Sequence, residues 1–224
     1  MGVDLLLFLC VIGAFTALTL SGEAMHQEIV NTSQISLDPS NLPYYAIRTL
    51  IRVAIALVIS ILFSVIYASL AAKSSHAESV LIPLLDILQS VPILGYLSFT
   101  VVFFLGLFPG NIMGAELAAI FAIFTSQVWN ITFSFYQSLK AIPIELLEVG
   151  EILKMSKWQK FWVIELPYSI PGLVWNSVLS ISGSWFFVVA SEAISIGDTK
   201  ISLEGIGAYI ALAIQGKDLH AIAY

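Results

Sequence analysis

The residues able to do chemistry in this sequence lie mostly within apolar stretches, where their types suit hydrogen bonding and solvation better than bond making. Asp86, Gln89 and Ser90 share one helical face beside Pro92; Gln127, Asn130 and Ser134 share a second, and Ser177, Ser180 and Ser184 a third. Polar groups inside apolar helices are costly and face protein or a water-filled cavity. Asp86, Gln89, Ser90, Gln127, Asn130, Ser180 and Ser184 are therefore candidates to line a translocation pathway. For the serines, helix–helix hydrogen bonding and close packing is the preferred reading. Glu192 follows an apolar stretch and reads equally as a solvated loop acid or as a gate. Arg48 and Arg52 stand one turn apart. Snorkelling to lipid head groups is the preferred reading, with an anion contact the sharper alternative.

Residue patterns for covalent or metal chemistry are missing. His26, His76 and His220 are far apart and lack metal-ligand spacing, and Cys10 is the sole cysteine. Gly216-Lys217 is followed by Asp218, so no phosphate-binding G-x-x-x-x-G-K-[ST] loop is present. Neither a G-x-S-x-G elbow nor an H-E-x-x-H pair occurs. No catalytic residue, metal or resident cofactor is expected.

The elements that must hold the polar faces follow from composition. The 224 residues are 58% hydrophobic and 11% charged, with formal charge −6. Their mean hydropathy is +0.94. A soluble fold of this size cannot hide so much apolar surface, whereas a bilayer can. The charge includes no basic patch for nucleic acid. A spanning helix needs about 20 mostly apolar residues. Such stretches occur at residues 3–20, 46–72, 80–108, 115–136 and 168–190. Pro83 and Pro92 are expected to break the third into an amphipathic lead-in at 80–90 and a span at 91–108. Residues 205–214 make half a span, and another apolar run opens at His220. The predicted fold is all-α: a polytopic membrane bundle of five full spans plus a partial sixth. Residues 1–43 would hold the first helix and an external loop. Residues 44–224 would form the main transmembrane domain, incomplete at its C-terminus. The first stretch lacks Lys, Arg and an A-x-A site, so it reads as a retained helix and not a signal peptide. Leu6 also breaks the myristoylation pattern. Lys73, Lys140, Lys154, Lys157 and Lys160 fall in loops on one side, which predicts that those loops and the N-terminus are cytoplasmic.

Residues 138–167 read as helix, turn, helix. Pro143 suits a first helical turn, and Glu145 and Glu148 lie near its positive end. Ser156 followed by Gln159 is a capping box. Trp158, Phe161 and Trp162 form an apolar face suited to a membrane–water interface. Leu166-Pro167 is expected to end the unit before the next span. Taken alone, such a hairpin is either an interfacial anchor or a docking device.

The segment resembles the E-A-A-x3-G-x9-I-x-L-P loop of ABC importer permeases. Glu148, Val149 and Gly150 stand at the E-A-A position, Lys154 at the Gly, and Ile164, Leu166 and Pro167 match in identity and spacing. Residues 85–92, Leu-Asp-Ile-Leu-Gln-Ser-Val-Pro, are similar to the L-D-x-x-Q-S-x-P run of nitrate/sulfonate/taurine-type permeases. From about residue 41 onward the chain looks closest to duplicated permeases for anions, which carry two such halves. The resemblance implies an inner-membrane permease subunit, with a partner ATPase using ATP, a second permease half and an extracytoplasmic solute-binding protein. It implies a small anion as solute and a coupling hairpin with Glu148 as docking acid. Both alanines are replaced, and Lys154 stands where the Gly fits a left-handed turn. A non-Gly residue costs about 1–2 kcal/mol there, so the turn is expected to be rebuilt or strained. The alternatives are a secondary transporter driven by an ion gradient, with Asp86 its only mid-span acid, and a membrane scaffold without transport.

Overall fold

The computed structural model of the protein describes residues 35–109, 111–196 and 199–222. The first predicted span and most of the loop after it lie outside these residues. A 3-10 turn, Pro39–Asn41, leads into α1, Leu42–Lys73. There follow α2, Ser75–Ser90; α3, Ile93–Leu107; and α4, Ile112–Lys140. The hairpin comprises α5, Ile144–Ile152, and α6, Lys157–Lys160. A π-helical turn, Phe161–Glu165, passes into α7, Leu166–Glu192. Strands β1, Ala193–Ile196, and β2, Thr199–Ser202, precede α8, Ile206–Gln215, and α9, Leu219–Ile222.

Three of the described helices are long and apolar enough to cross a membrane: Pro39–Lys73, Ile112–Lys140 and Lys157–Glu192. They correspond to the second, fourth and fifth predicted spans. The third stretch does not yield a helix of that length. Its lead-in is α2, as expected, but Pro83 sits inside that helix without breaking it. Two anchors flank the proline: Tyr67 donates a 2.7 Å bond to the Leu81 carbonyl, and Leu85 is fully buried. Pro92 does break the chain. The 15-residue α3 that follows spans about 22 Å at 1.5 Å per residue, short of a ~30 Å hydrocarbon core. The stretch expected to be a partial sixth span forms α8, an apolar helix of ten residues.

Two expectations need correction. Leu166-Pro167 does not end the second arm of the hairpin; helix runs from Lys157 to Glu192. The π turn explains why. The Leu166 N–H bonds back to the Phe161 carbonyl, so the bonding register slips just before the residue that has no N–H to donate. Pro167 then occupies the first turn of α7, where a proline is tolerated. The second concerns the predicted all-α bundle, which stands as a helical bundle but carries one short antiparallel β-hairpin, pairing Ala193 with Ser202 and Ile196 with Thr199.

The chain divides into two compact units. One contains residues 54–92 and 124–185. Its core joins Ala68 of α1, Ile131, Phe135 and Leu139 of α4, Ile142 of the linker and Leu173 of α7. Leu147, Phe161, Ile164 and Leu166 pack against that core, which seats the hairpin on the long helices. The other unit contains the described residues of 1–53, 93–123 and 186–224. Val101 and Leu105 of α3 pack with Ala115, Ala118 and Ala119 of α4 and with Leu203. Gly114 lets α3 and α4 approach: a Cβ there would fall 2.7 Å from the Phe104 carbonyl oxygen. Tyr45, Tyr209, Ala213 and Ala221 form a second cluster under α8 and α9.

Candidate functional site

The hairpin of residues 141–165 is built from strong local signals. Pro143 is the N-cap of α5 in extended backbone. The far end of α5 closes in a Schellman motif: the Met155 N–H bonds to the Gly150 carbonyl and the Lys154 N–H to that of Glu151, both at 2.9 Å. Lys154 is the left-handed residue of that motif, with φ 49°. The turn is thus retained with a lysine in it, so the strained alternative holds and the rebuilt one does not. Ser156 and Gln159 form the reciprocal capping box that starts α6. Gly150 is buried against the second arm, where an added Cβ would stand 3.0 Å from Ile164 Cδ1 and 3.6 Å from Lys160 Cε. Lys160 reaches back to Glu151 at 3.6 Å.

Of the residues matched to the coupling loop, Ile164 and Leu166 pack into the core beneath it. Glu148, Val149, Lys154 and Pro167 are exposed. The first arm offers Glu145, Glu148 and Glu151 without a basic residue, and the turn and second arm offer Lys154, Lys157 and Lys160. The base is tied down by Lys73, which pairs with Glu165 at 2.9 Å and lies 5.2 Å above the Phe161 ring. Tyr168 also donates to the Ala141 carbonyl at 3.0 Å. The result is a stiff projection joined directly to two long helices.

Above the hairpin, within the same unit, α4 and α7 are zipped by a polar seam. Gln127 donates to Ser184 at 3.1 Å, Asn130 to Ser180 at 2.9 Å, and Asn176 to Ser134 at 2.6 Å. Gln127, Ser180 and Ser184 are buried, whereas Asn130 remains exposed. The structure therefore joins two of the predicted polar faces. It adds Asn176, which sequence reading missed although it lies four residues before Ser180 on the same stripe. Gly172 admits the close approach, since a Cβ there would lie 2.6 Å from Ser138 Oγ. Asp86, Gln89 and Ser90 are exposed, and their bonds run within α2: Gln89 donates to the Asp86 carboxylate at 3.0 Å and Ser90 to its carbonyl at 2.6 Å.

The other unit holds a buried ion cluster. Arg52 is 3% exposed and Glu192 is fully buried. Arg52 grips Glu116 with two bonds, Nε to Oε2 at 2.6 Å and Nη2 to Oε1 at 2.7 Å. Its Nη1 donates to Glu192 Oε1 and to the Glu204 carbonyl, each at 2.8 Å. Arg48 reaches Glu116 at 2.9 Å, and Tyr44 donates to Glu204 at 2.7 Å. Snorkelling is thus wrong for Arg52, and Glu192 is not a solvated loop acid. The physical reason is pairing: a buried charge persists when partners replace its water. Sequence reading missed Thr49, Glu116 and Glu204. A lone Glu116 at the start of an apolar stretch with Arg48 and Arg52 nearby was the available signal.

Long apolar helices that carry a rigid charged projection between two of them define a multi-span integral membrane protein. Residues 64–224 match the family described as binding-protein-dependent transport system inner membrane component, and the chain belongs to that family. It is similar to the nitrate import permease protein NrtB of Synechocystis sp., with 27% identity over 162 residues, 72% of this chain and 54% of that protein. It is also similar to the bicarbonate transport system permease protein CmpB of Synechococcus elongatus, with 27% identity over 172 residues, 77% of this chain and 57% of that protein. The glycine betaine/carnitine transport permease protein GbuB of Listeria monocytogenes is 28% identical over 66% of this chain and 47% of its own length. The chain spans about half the length of the curated relatives it matches.

Proposed function

We propose that this chain is a permease subunit, or a section of a longer one, in an ABC importer for a small oxyanion. It forms part of the transmembrane pathway and binds no ATP itself; a separate ATPase supplies the energy. The full bundle has five crossings, the third of them broken at Pro92, and a partial sixth; the N-terminus is cytoplasmic, and a second permease half completes the pathway. A solute-binding protein delivers the solute from outside. Nitrate and bicarbonate, which the names of two relatives specify, are the solutes to test first. The seam of Gln127, Asn130, Ser180 and Ser184 is the proposed pathway contribution in one unit, and Asp86, Gln89 and Ser90 offer a second polar patch.

The observation that carries this reading is the hairpin. Its first arm presents Glu148 and Val149 to solvent, while Ile164 and Leu166 lock the second arm into the core. A push on the first arm reaches the second through the close contact of Gly150 with Ile164, and the second arm runs into α7 as continuous helix. The experiment is co-purification with the cognate ATPase, comparing wild type with Glu148→Arg. Charge reversal should abolish ATPase binding and ATP-driven uptake. Unchanged binding and uptake would rule out coupling through this hairpin.

A further inference from the structure

Helix α8 begins at Gly205-Ile206-Gly207, and its capping groups come from distant parts of the chain. Gly205 has no side chain with which to cap the helix, so the first N–H groups need outside acceptors. Thr49 Oγ1 accepts from the Ile206 N–H at 3.0 Å, and Glu192 Oε2 accepts from the Gly207 N–H at 2.7 Å. The other carboxylate oxygen, Oε1, accepts from Thr49 Oγ1 at 2.7 Å and from Arg52 Nη1 at 2.8 Å. Thr49 is 1% exposed and Arg52 is 3% exposed. One planar anion therefore sits among a buried hydroxyl, a buried guanidinium and a helix N-terminus, each of which favours negative charge.

The backbone is shaped around that anion. A Cβ on Gly205 would stand 2.3 Å from the Glu192 carboxylate. One on Gly207 would stand 2.6 Å from Val189 Cα and 2.9 Å from Glu192 Oε2. Gly205 is in extended backbone, φ −179°, which any residue adopts. Space for the carboxylate, and not backbone conformation, is what requires glycine there.

We propose that Thr49, Arg52 and the Gly207 amide form a binding site for a small planar oxyanion, with the Glu192 carboxylate as its built-in occupant. Nitrate, bicarbonate and formate match the carboxylate in plane, charge and acceptor spacing. Three other donors of Arg52 are held by Glu116 and the Glu204 carbonyl, so the guanidinium stays aimed when the occupant leaves. Of the cluster's charges, Arg48 and Arg52 balance Glu116 and Glu204. Loss of Glu192 leaves those four groups neutral, and a monovalent oxyanion restores the original total. The link to a transported anion rests on the proposed function: a passing oxyanion could take the place of Glu192 if α7 drew its carboxylate away. The site itself rests only on this geometry.

The test uses the full chain purified in detergent, with Glu192→Ala, which removes the occupant and leaves room for nitrate or formate. Thermal midpoints are measured in formate, nitrate, chloride and neutral formamide at matched ionic strength. Formate and nitrate should raise the midpoint of Glu192→Ala by roughly 5 °C or more at about 100 times the dissociation constant. Formamide should not, and wild type and Glu192→Gln should not respond, because their site is filled. The response should vanish in Arg52→Met/Glu192→Ala. If Glu192→Ala accumulates folded only when prepared in formate, that is the same rescue. No oxyanion response, an equal response to formamide, an equal response in wild type, or a chain unrecoverable even in formate would overturn the site. Because the readout is binding and not transport, those results would leave the permease reading standing.

Discussion

Substitution of Gly150 separates two roles that a small residue at this position can have. If its role is to let the two arms of the hairpin touch, side-chain size decides the outcome. An alanine adds one Cβ, placed 3.0 Å from Ile164 Cδ1, with Lys160 Cε and Cδ at 3.6 and 3.7 Å. The tight neighbour is the tip of a flexible side chain, so a shift of a few tenths of an ångström relieves it. Helix propensity favours Ala over Gly by about 0.8–1.0 kcal/mol, less near a helix end. Gly150→Ala should therefore be neutral or stabilising by about 0.5 kcal/mol. Leucine must insert its branch between Ile164 and Lys160. Overpacking of that kind costs about 1–3 kcal/mol, roughly 3–10 °C in a chain of this length. It should also spread the arms and part Lys160 from Glu151, now 3.6 Å apart. Zero-length carbodiimide coupling of Glu151 to Lys160, read by peptide mass spectrometry alongside the thermal midpoint, reports both effects. Coupling should persist in Gly150→Ala and be lost in Gly150→Leu. Wild-type coupling and midpoint in Gly150→Leu would refute the idea that this glycine sets the contact between the arms.

Three further outcomes follow from the same geometry. Lys154→Gly should stabilise the chain by up to about 1 kcal/mol by relieving the left-handed lysine, while Lys154→Ile should destabilise it, because β-branched residues resist positive φ; thermal midpoints of the pair decide. Arg52→Met leaves Glu192 buried without its cation and should cost about 3–5 kcal/mol, whereas Arg52→Met/Glu192→Met removes both charges, keeps Arg48 on Glu116 and should recover part of the loss, the Thr49 hydroxyl and the Gly207 N–H losing their carboxylate acceptor; additive losses in denaturation of the double variant would contradict pairing as the cause. The Glu78 carboxyl is held below the ordinary glutamate range, first by the hydrogen bond from Tyr136 and then by Lys140. A carboxyl with a depressed folded value stabilises the fold above its unfolded value, about 4.3, and that contribution is lost as pH falls through the folded value. The stability gap between wild type and Glu78→Gln should thus be constant near neutrality and close on acidification below about pH 4; a gap that widens there would reverse the assignment.

Much of this architecture was legible because the relevant forces are local or compositional. Apolar length identified α1, α4 and α7, and the capping box at Ser156 and Gln159 fixed the start of α6. The E-A-A-like spacing located the turn at Lys154 to the residue. The misreadings have a different origin. Pro167 looked like a terminator because an α-helical register was assumed, and a π turn just before it removes the conflict. Ile194-Ser195-Ile196 and Thr199-Lys200-Ile201, separated by Gly197-Asp198, carried a hairpin signal in alternation and turn chemistry. Their position after a long apolar helix obscured it.

The ion cluster was least legible because its members are distant in sequence: Arg52 meets Glu192 across 140 positions. Each residue alone had a bland explanation, a snorkelling arginine or a loop acid, and both fail on burial. Gly205 and Gly207 were the remaining clue, since two glycines at a helix start imply something close by. Their meaning depends on which group approaches, and only the folded chain brings the Glu192 carboxylate to that place. A charge buried this deeply needs its donors arranged in advance, so the glycines, Thr49 and Arg52 must be understood as one arrangement. The same reasoning makes the cluster more informative than the seam. Helix–helix hydrogen bonds satisfy Asn130 and Ser180 wherever two polar stripes meet, whereas a planar anion among Thr49, Arg52 and a helix N-terminus requires all three to converge on it.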